Sequence, residues 1–229
     1  MLTVGILGGM GPMATVDLFA KIIECTPASV DQDHLKILIY NNPQIPSRVK
    51  AILDGTESPR EELIRSAQVL EKAGASLIVM PCNTAHYWYQ DIQNAVKIKI
   101  INMIENTADA INAEEVKDKI MLFASDATVK TRLYQEVFLA KNICLQVPAS
   151  QEQQIIAKAI DETKAGKIEN NPYLDMIEDT IVKYQQTGIN SFIAGCTEIP
   201  LLFKHIKKNC NKIDPTLLLA KAVVKQAFI

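Results

Sequence analysis

This chain of 229 residues contains one structural unit twice, and the repeat limits its fold more than any other feature. Residues 70–84 (LEKAGASLIVMPCNT) and 183–198 (KYQQTGINSFIAGCTE) follow the same order: helix-forming residues, a glycine, an apolar run, and a cysteine followed by threonine. Gly74 precedes Cys82 by eight residues, and Gly188 precedes Cys196 by eight. The copies also align at their starts, with ILGGMGPMAT about 74 residues before Cys82 and LFASDATVKT about 72 before Cys196. Two alike halves follow, each delivering a thiol to the C-terminal end of a strand.

Short runs rich in Ile, Leu and Val alternate with longer amphipathic stretches. TVGILG, LKILIYN, SLIVMP, IKIINMI, KIMLFAS, NICLQVP and SFIAGC read as strands, and their apolar character is continuous, which predicts burial on both faces. Segments 14–25, 61–73, 151–165 and 173–186 have helical periodicity and few breakers. The expected fold class is α/β, with two pseudosymmetric domains, each a parallel sheet flanked by helices, and the site in the cleft between them. The expected domains are 1–98 with 211–229, and 99–210; the last helix, 215–229, is expected to pack on the first half. No Gly/Ser- or Pro-rich linker separates the halves, so they are expected to pack together.

With 24 Lys and Arg against 26 Asp and Glu, the chain has no general cationic field to draw phosphate backbones or anionic membranes. The densest basic stretch, residues 204–212 (KHIKKNCNK), reads as a solvated helix C-terminus whose cations complement the macrodipole. A hydrophobic content of 48% excludes a disordered or collagen-like chain. The N-terminus lacks a basic leader, and no apolar run approaches the roughly 20 residues that span a bilayer, so a cytoplasmic protein without membrane or nucleic-acid partners is expected. Five cysteines without a CxxC read as free thiols.

Cys82 and Cys196 both end strands at the sheet edge where α/β folds bind ligands. With the two halves facing each other, the two thiols would oppose one another. One thiolate would then remove a proton from Cα of a small carboxylic acid while the other thiol protonates the opposite face, giving the mirror image. Hydrogen bonds to the carboxylate as it becomes enediolate-like would offset the cost of the carbanion. A helix starting just after each cysteine is expected to lower its thiol pKa from about 8.5. Thr84, Thr197 and Asn83 add a hydroxyl pair and a carboxamide beside the thiols. Cys25, Cys144 and Cys210 lack this setting and read as structural.

These residues resemble the pyridoxal-phosphate-independent aspartate/glutamate racemases. The resemblance rests on Gly8-Gly9-Met10-Gly11-Pro12 with Ala14-Thr15; Asp31-Gln32-Asp33-His34; Asn42-Pro43 with Ile45-Pro46 and Arg48; Pro81-Cys82-Asn83-Thr84-Ala85-His86; and Gly195-Cys196-Thr197-Glu198 with Pro200. It implies two pseudosymmetric α/β domains, no cofactor, a small acidic amino acid as substrate, a homodimer, and Cys82 and Cys196 as acid and base. It places Asn83, Thr84 and Thr197 around the α-carboxylate, and Arg48 and Lys164 on the side-chain carboxylate. A guanidinium can grip a carboxylate bidentately, and a lysine adds a point charge. Where the family commonly has Ala-Thr-x-Gly-Thr after the first strand of the second half, this chain reads Ala124-Ser125-Asp126-Ala127-Thr128, which predicts an altered turn and hydroxyl contact beside the substrate-binding Thr128. Ser47 stands where an Asp often precedes the arginine. Glutamate racemases proper carry an acidic residue near the first-strand glycines and His after the second Cys-Thr; Gly8 and Glu198 at those places point to the aspartate/glutamate branch.

Gly9-Met10-Gly11-Pro12-Met13-Ala14 also matches a loose dinucleotide pattern, but the second strand ends at Tyr40-Asn41-Asn42 without the expected acidic residue. Gly9 and Met10 therefore read as the floor of the site, with Thr15 beside them and backbone N–H groups at a helix start facing an anion. A metal held by Cys82, His86 and Cys196 would lack a paired ligand motif and would make its thiolates poor proton shuttles. His86 reads as tuning Cys82 or orienting its loop, and Glu198 as steadying the Cys196 loop or assisting proton transfer. Asp17, Tyr134 and Trp88 are further candidates for lining the cleft. The readings that compete with an aspartate or glutamate racemase are a racemase of another amino acid and a catalytically silent small-carboxylate binding protein.

Overall fold

The computed structural model describes residues 2–113 and 119–228. Contacts divide the chain into two compact units, Met1–Thr107 with Thr216–Ile229, and Ala108–Pro215. The units part at 107/108 and 215/216, where the sequence pointed to 98/99 and 210/211.

In the first unit, β1 (Thr3–Gly8), α1 (Pro12–Cys25), β2 (Lys36–Asn41), α2 (Arg48–Asp54), α3 (Arg60–Lys72), β3 (Leu77–Val79), a 3-10 turn (Thr84–Trp88), α4 (Tyr89–Asn94), β4 (Lys99–Ile100) and the start of α5 (Met103–Ala113) follow in order. The second unit runs β5 (Ile120–Phe123), α6 (Asp126–Lys130), α7 (Leu133–Ala140), β6 (Leu145–Gln146), α8 (Ser150–Lys164), α9 (Leu174–Gln185), β7 (Ser191–Ala194), α10 (Ile199–Phe203) and β8 (Asn211–Ile213). The chain then returns to the first unit as α11 (Pro215–Ala227).

Among the described residues the strands form two four-stranded sheets, ordered β2-β1-β3-β4 and β6-β5-β7-β8, with every pairing parallel. The two orders are the same, so the repeat is one of topology as well as of sequence. It also has a local cause. Gly74 (φ 95°) and Gly188 (φ 85°) each end a helix in the left-handed region, which a residue with a Cβ enters at a cost. In each copy the residue after the glycine donates to a carbonyl five back, Ala75 to Leu70 at 3.0 Å and Ile189 to Tyr184 at 3.1 Å. This Schellman closure stops the helix and aims the chain into the next strand.

The central strands β3, β5 and β7 are buried along their whole length, as continuous apolar runs require. In the first sheet alternate residues serve two cores. Leu7, Ile78 and Met80 join Leu63, Leu70 and Ile92 on one side. Val4, Ile6, Leu77 and Val79 meet Leu18, Ile22, Leu219 and Val223 on the other. α11 thus packs on the first sheet, as its sequence suggested.

Three local readings change. β2 is an edge strand with Ile39 43% exposed, so its apolar run does not report burial on both faces. IKIINMI keeps strand form only over Lys99–Ile100, and Met103 begins α5. The basic stretch 204–212 is not a simple helix end: Lys212 donates to the carbonyls of Phe203 (2.7 Å) and Ile206 (2.9 Å), capping α10, and lies in β8 itself. Among the described residues no helix is long and apolar enough to cross a membrane.

Candidate active site

Parallel strands put all their C-terminal ends on one edge of a sheet. In the first unit that edge gathers the Gly9-Met10 loop after β1, the 42–48 loop after β2, and Cys82-Asn83-Thr84 after β3. In the second it gathers Ser125 to Thr128 after β5 and Cys196-Thr197-Glu198 after β7.

The glycines of the first loop answer to specific neighbours. A Cβ on Gly8 would lie 2.4 Å from the Thr15 hydroxyl, and one on Gly9 (φ 99°) would lie 2.3 Å from the Asn42 backbone. The Gly9 N–H donates to Thr15 Oγ1 at 2.9 Å, so that donor serves the loop itself rather than an anion. Thr15 is thereby a strut of the loop. Met10 is buried in the same apolar cluster as Cys82 and Ile45. Asn42, which the sequence marked only as part of the resemblance and gave no role, is a support: its N–H donates to Gly8 O at 3.2 Å, and its carboxamide to Glu62 Oε1 at 2.8 Å. Its place in the Asn-Pro pair of a strand-ending loop is the signal that marked it.

Arg48 opens α2, which Ser47 caps by accepting from the Lys50 N–H at 3.3 Å. One guanidinium nitrogen, Nη1, donates to the carbonyls of Ile45 (2.9 Å) and Pro46 (2.8 Å). Its Nε is buried and has no hydrogen-bond partner among the described residues. A buried orphan donor is costly, so the head is anchored with part of its donor capacity held for an acceptor.

Cys82 is 6% exposed, and Asn83 and Thr84 are buried beside it. His86 holds this loop. Its Nε2 accepts the Met103 N–H at 3.1 Å, so the ring proton sits on Nδ1, which donates to Cys82 O at 2.8 Å. Burial lowers its pKa from 6.5 to about 4, against the pull of backbone hydrogen bonds. His86 is therefore a neutral clamp that orients the loop, and both nitrogens are committed to backbone, which leaves no lone pair for a metal. Trp88 belongs to the core below, and Asp17 pairs with Lys21 along α1.

Around Cys196 the setting differs. The thiol, 8% exposed, donates to Glu198 Oε2 at 2.9 Å, and the Thr197 hydroxyl donates to the same oxygen at 3.4 Å. The thiol pKa is raised well above its ordinary value, first by burial and then by the Glu198 charge, while Lys164 pulls the other way. The expected helix-lowered thiol is thus corrected at Cys196. The helix after it has five residues and offers no developed dipole, whereas burial and a carboxylate act directly. Lys164, at the end of α8 and 3.8 Å from Asp161, is 38% exposed and close enough to act on the Cys196 thiol.

The departure at 124–128 does not open the turn. Ser125 caps α6, accepting the Thr128 N–H at 3.3 Å, and its hydroxyl lies 3.1 Å from Thr128 Oγ1. Ala127 sits within the first turn of the helix, where no left-handed residue is needed. Sequence reasoning named Ser125 as a departure but missed its role as a cap; a small hydroxyl at the end of an apolar run, before a helix, is the N-cap signal that reveals it. Tyr134 is fully buried and packs on Phe138.

A family model described as Asp/Glu/Hydantoin racemase matches residues 7–223. The chain is 28% identical over 225 residues to a broad specificity amino-acid racemase of Bacillus subtilis (strain 168), covering 96% of each. It is similar to the solved aspartate racemase of Picrophilus torridus, with TM-score 0.88 and 31% identity over 100% of this chain and 95% of that one. It is also similar to an aspartate racemase homologue from Pyrococcus horikoshii OT3, with TM-score 0.79 and 27% identity over the whole of both chains.

Proposed function

The chain belongs to the Asp/Glu/hydantoin racemase family, which makes racemisation its reaction class, and on that premise we propose that it interconverts L- and D-aspartate, with glutamate as a second substrate. The reaction runs without a cofactor, by proton transfer at Cα between Cys82 and Cys196. The observation that carries this reading is the pair of buried thiols, each on the loop that follows the equivalent central strand, β3 or β7, of its sheet.

In this mechanism one thiolate takes the Cα proton, and the electron pair of the broken C–H bond moves into the α-carboxylate as an enediolate. The other thiol then gives its proton to the opposite face and becomes the thiolate. Nothing is oxidised or reduced. Asn83, Thr84, Thr197 and Thr128 hold the α-carboxylate, the Gly9-Met10 loop forms the floor, and low exposure around the thiols excludes water that would otherwise screen the developing charge. Arg48, anchored on Ile45 and Pro46, and Lys164 take the side-chain carboxylate. Thr15, His86 and Glu198 support these groups. The assembly that goes with this reading is a homodimer.

Incubation with L-Asp, L-Glu and a neutral amino acid in deuterated buffer, without pyridoxal phosphate, tests the proposal. Deuterium at Cα with formation of D-aspartate is the expected result; no exchange with any of them, in a folded protein with reduced thiols, overturns it. Cys82→Ser and Cys196→Ser should each abolish racemisation in both directions, and full activity in either variant rules out two bases. A second reading, wider amino-acid specificity, is favoured by the likeness to the Bacillus racemase and by the use of Arg48 Nη1 on backbone. Arg48→Ala should lose acidic substrates preferentially; equal wild-type rates on neutral and acidic substrates would establish the wider specificity.

A further inference from the structure

Lys164 is the last residue of α8, and Gly166 (φ 90°) turns the chain away two residues later. A final helical turn has carbonyls without helical partners, and it frays unless a group from outside takes them. Its lysine would then carry a charge of no fixed position to the site, since the four-carbon stem is itself flexible.

Asn171 supplies the outside group. It lies in the connection 165–173 between α8 and α9, yet it is only 5% exposed. Its Nδ2 donates to Ala159 O at 2.9 Å, Thr163 Oγ1 at 3.1 Å and Lys167 O at 3.3 Å, and its Oδ1 accepts the Tyr173 N–H at 3.0 Å. The Thr163 hydroxyl donates in turn to Ala159 O at 2.8 Å. One carboxamide thus joins the last two turns of α8, the loop after them and the approach to α9, with ties on both sides of Lys164 in sequence. Because the amide is buried, breaking any of these bonds leaves an unsatisfied group, which holds the set together.

We propose that Asn171 is a positioning residue for Lys164: by tying the end of α8 to the loop that follows, it keeps the ammonium group within reach of Cys196, where it meets the side-chain carboxylate of an acidic substrate. This rests on the racemase reading above, in which Lys164 takes that carboxylate. Without the tie, the ammonium is free to move to solvent or closer to exposed Asp161, 3.8 Å away. The Cys196 thiol reports where the ammonium stands even without substrate, since Lys164 pulls its pKa down against burial and Glu198.

The test is a double-mutant cycle read in two ways. Lys164→Ala should raise KM for L-aspartate about tenfold and change kcat less than about threefold, as loss of a charge-assisted contact made equally in ground and transition states does. Asn171→Ser keeps a hydroxyl to accept from Tyr173 but cannot reach α8, and it should raise KM about fivefold with kcat as little changed. In the Lys164→Ala background it should add nothing, because the group it positions is gone. The second reading needs no turnover: iodoacetamide alkylation across pH, followed at Cys196 by peptide mass spectrometry with exposed Cys144 as control. Each single variant should raise the Cys196 midpoint and slow its labelling at pH 8 about threefold, and the double variant no further. A KM that Asn171→Ser leaves unchanged, or raises as much without Lys164 as with it, overturns the proposal, as does an unmoved Cys196 midpoint. Should Asn171→Ser fail to fold, Asn171→Gln, which displaces the amide by one methylene, takes its place in the cycle. Coupled thiol shifts without Cα exchange refute the racemase reading and keep the link from Asn171 to Lys164; exchange with uncoupled variants does the reverse.

Discussion

Burial keeps His86 neutral down to about pH 4, while an unfolded chain would protonate it near 6.5. The unfolded state therefore binds more protons between these values, and stability falls as pH drops through that window. The expected loss from pH 7.5 to pH 4 is about 3 kcal/mol from this group alone. Urea midpoints measured across that range should show it, and His86→Gln, weaker at pH 7 for want of the Met103 clamp, should lack this part of the slope. An unchanged slope in the variant would mean that other groups carry the dependence. Gly9→Ala would set a Cβ 2.3 Å from the Asn42 backbone, which has no flexible end to yield. It should cost at least about 2 kcal/mol and most of the activity, where an exposed-loop substitution costs under about 0.5. At this scale the thiols were legible because two cysteines at one spacing stand out. The neutrality of His86 was not, because it depends on Met103, seventeen residues on, and on the burial of both.

Helix ends were legible where the chain states them locally. Gly74 and Gly188 announce left-handed stops, and the space beyond each is open, so Gly188→Ala meets no steric neighbour. Its cost should be the backbone term alone, about 1 kcal/mol by urea denaturation. A loss of about 3 kcal/mol or more would mean that the Schellman turn itself is broken rather than strained. Ser125→Ala removes the α6 cap and should cost about 1 kcal/mol. It should also reduce turnover, since Thr128 takes its position from that hydroxyl. Short elements were harder to read. β8 is a three-residue edge strand in the polar run CNKID, and it exists because β7 offers it a parallel partner, Ser191 opposite Asn211. Likewise β4 holds only Lys99 and Ile100, and the apolar run around it passes into α5 at Met103.

For the whole molecule, thermodynamics supplies a constraint that no local feature can evade. Enantiomers have equal free energies in an achiral solvent, so kcat/KM must be the same from L to D as from D to L at every pH. Unequal thiols then show only as kcat and KM changing together between the two directions, and Glu198→Gln should alter both directions of kcat/KM by one factor. Progress curves from each enantiomer over pH 6 to 9 would check this; unequal kcat/KM values would mean that a second reaction consumes one isomer. The α/β class, the repeat and the arrival of a thiol after the third strand of each half follow from patterns that run along the chain, since apolar runs, helix periods and stop glycines act within a few residues of themselves. The state of those thiols does not. It depends on burial and on charges brought in from elsewhere, with Lys164 reaching Cys196 across thirty-two residues and Arg48 folded back on its own loop. Desolvation and Coulomb interactions depend on distance in space, and only the packed chain defines those distances.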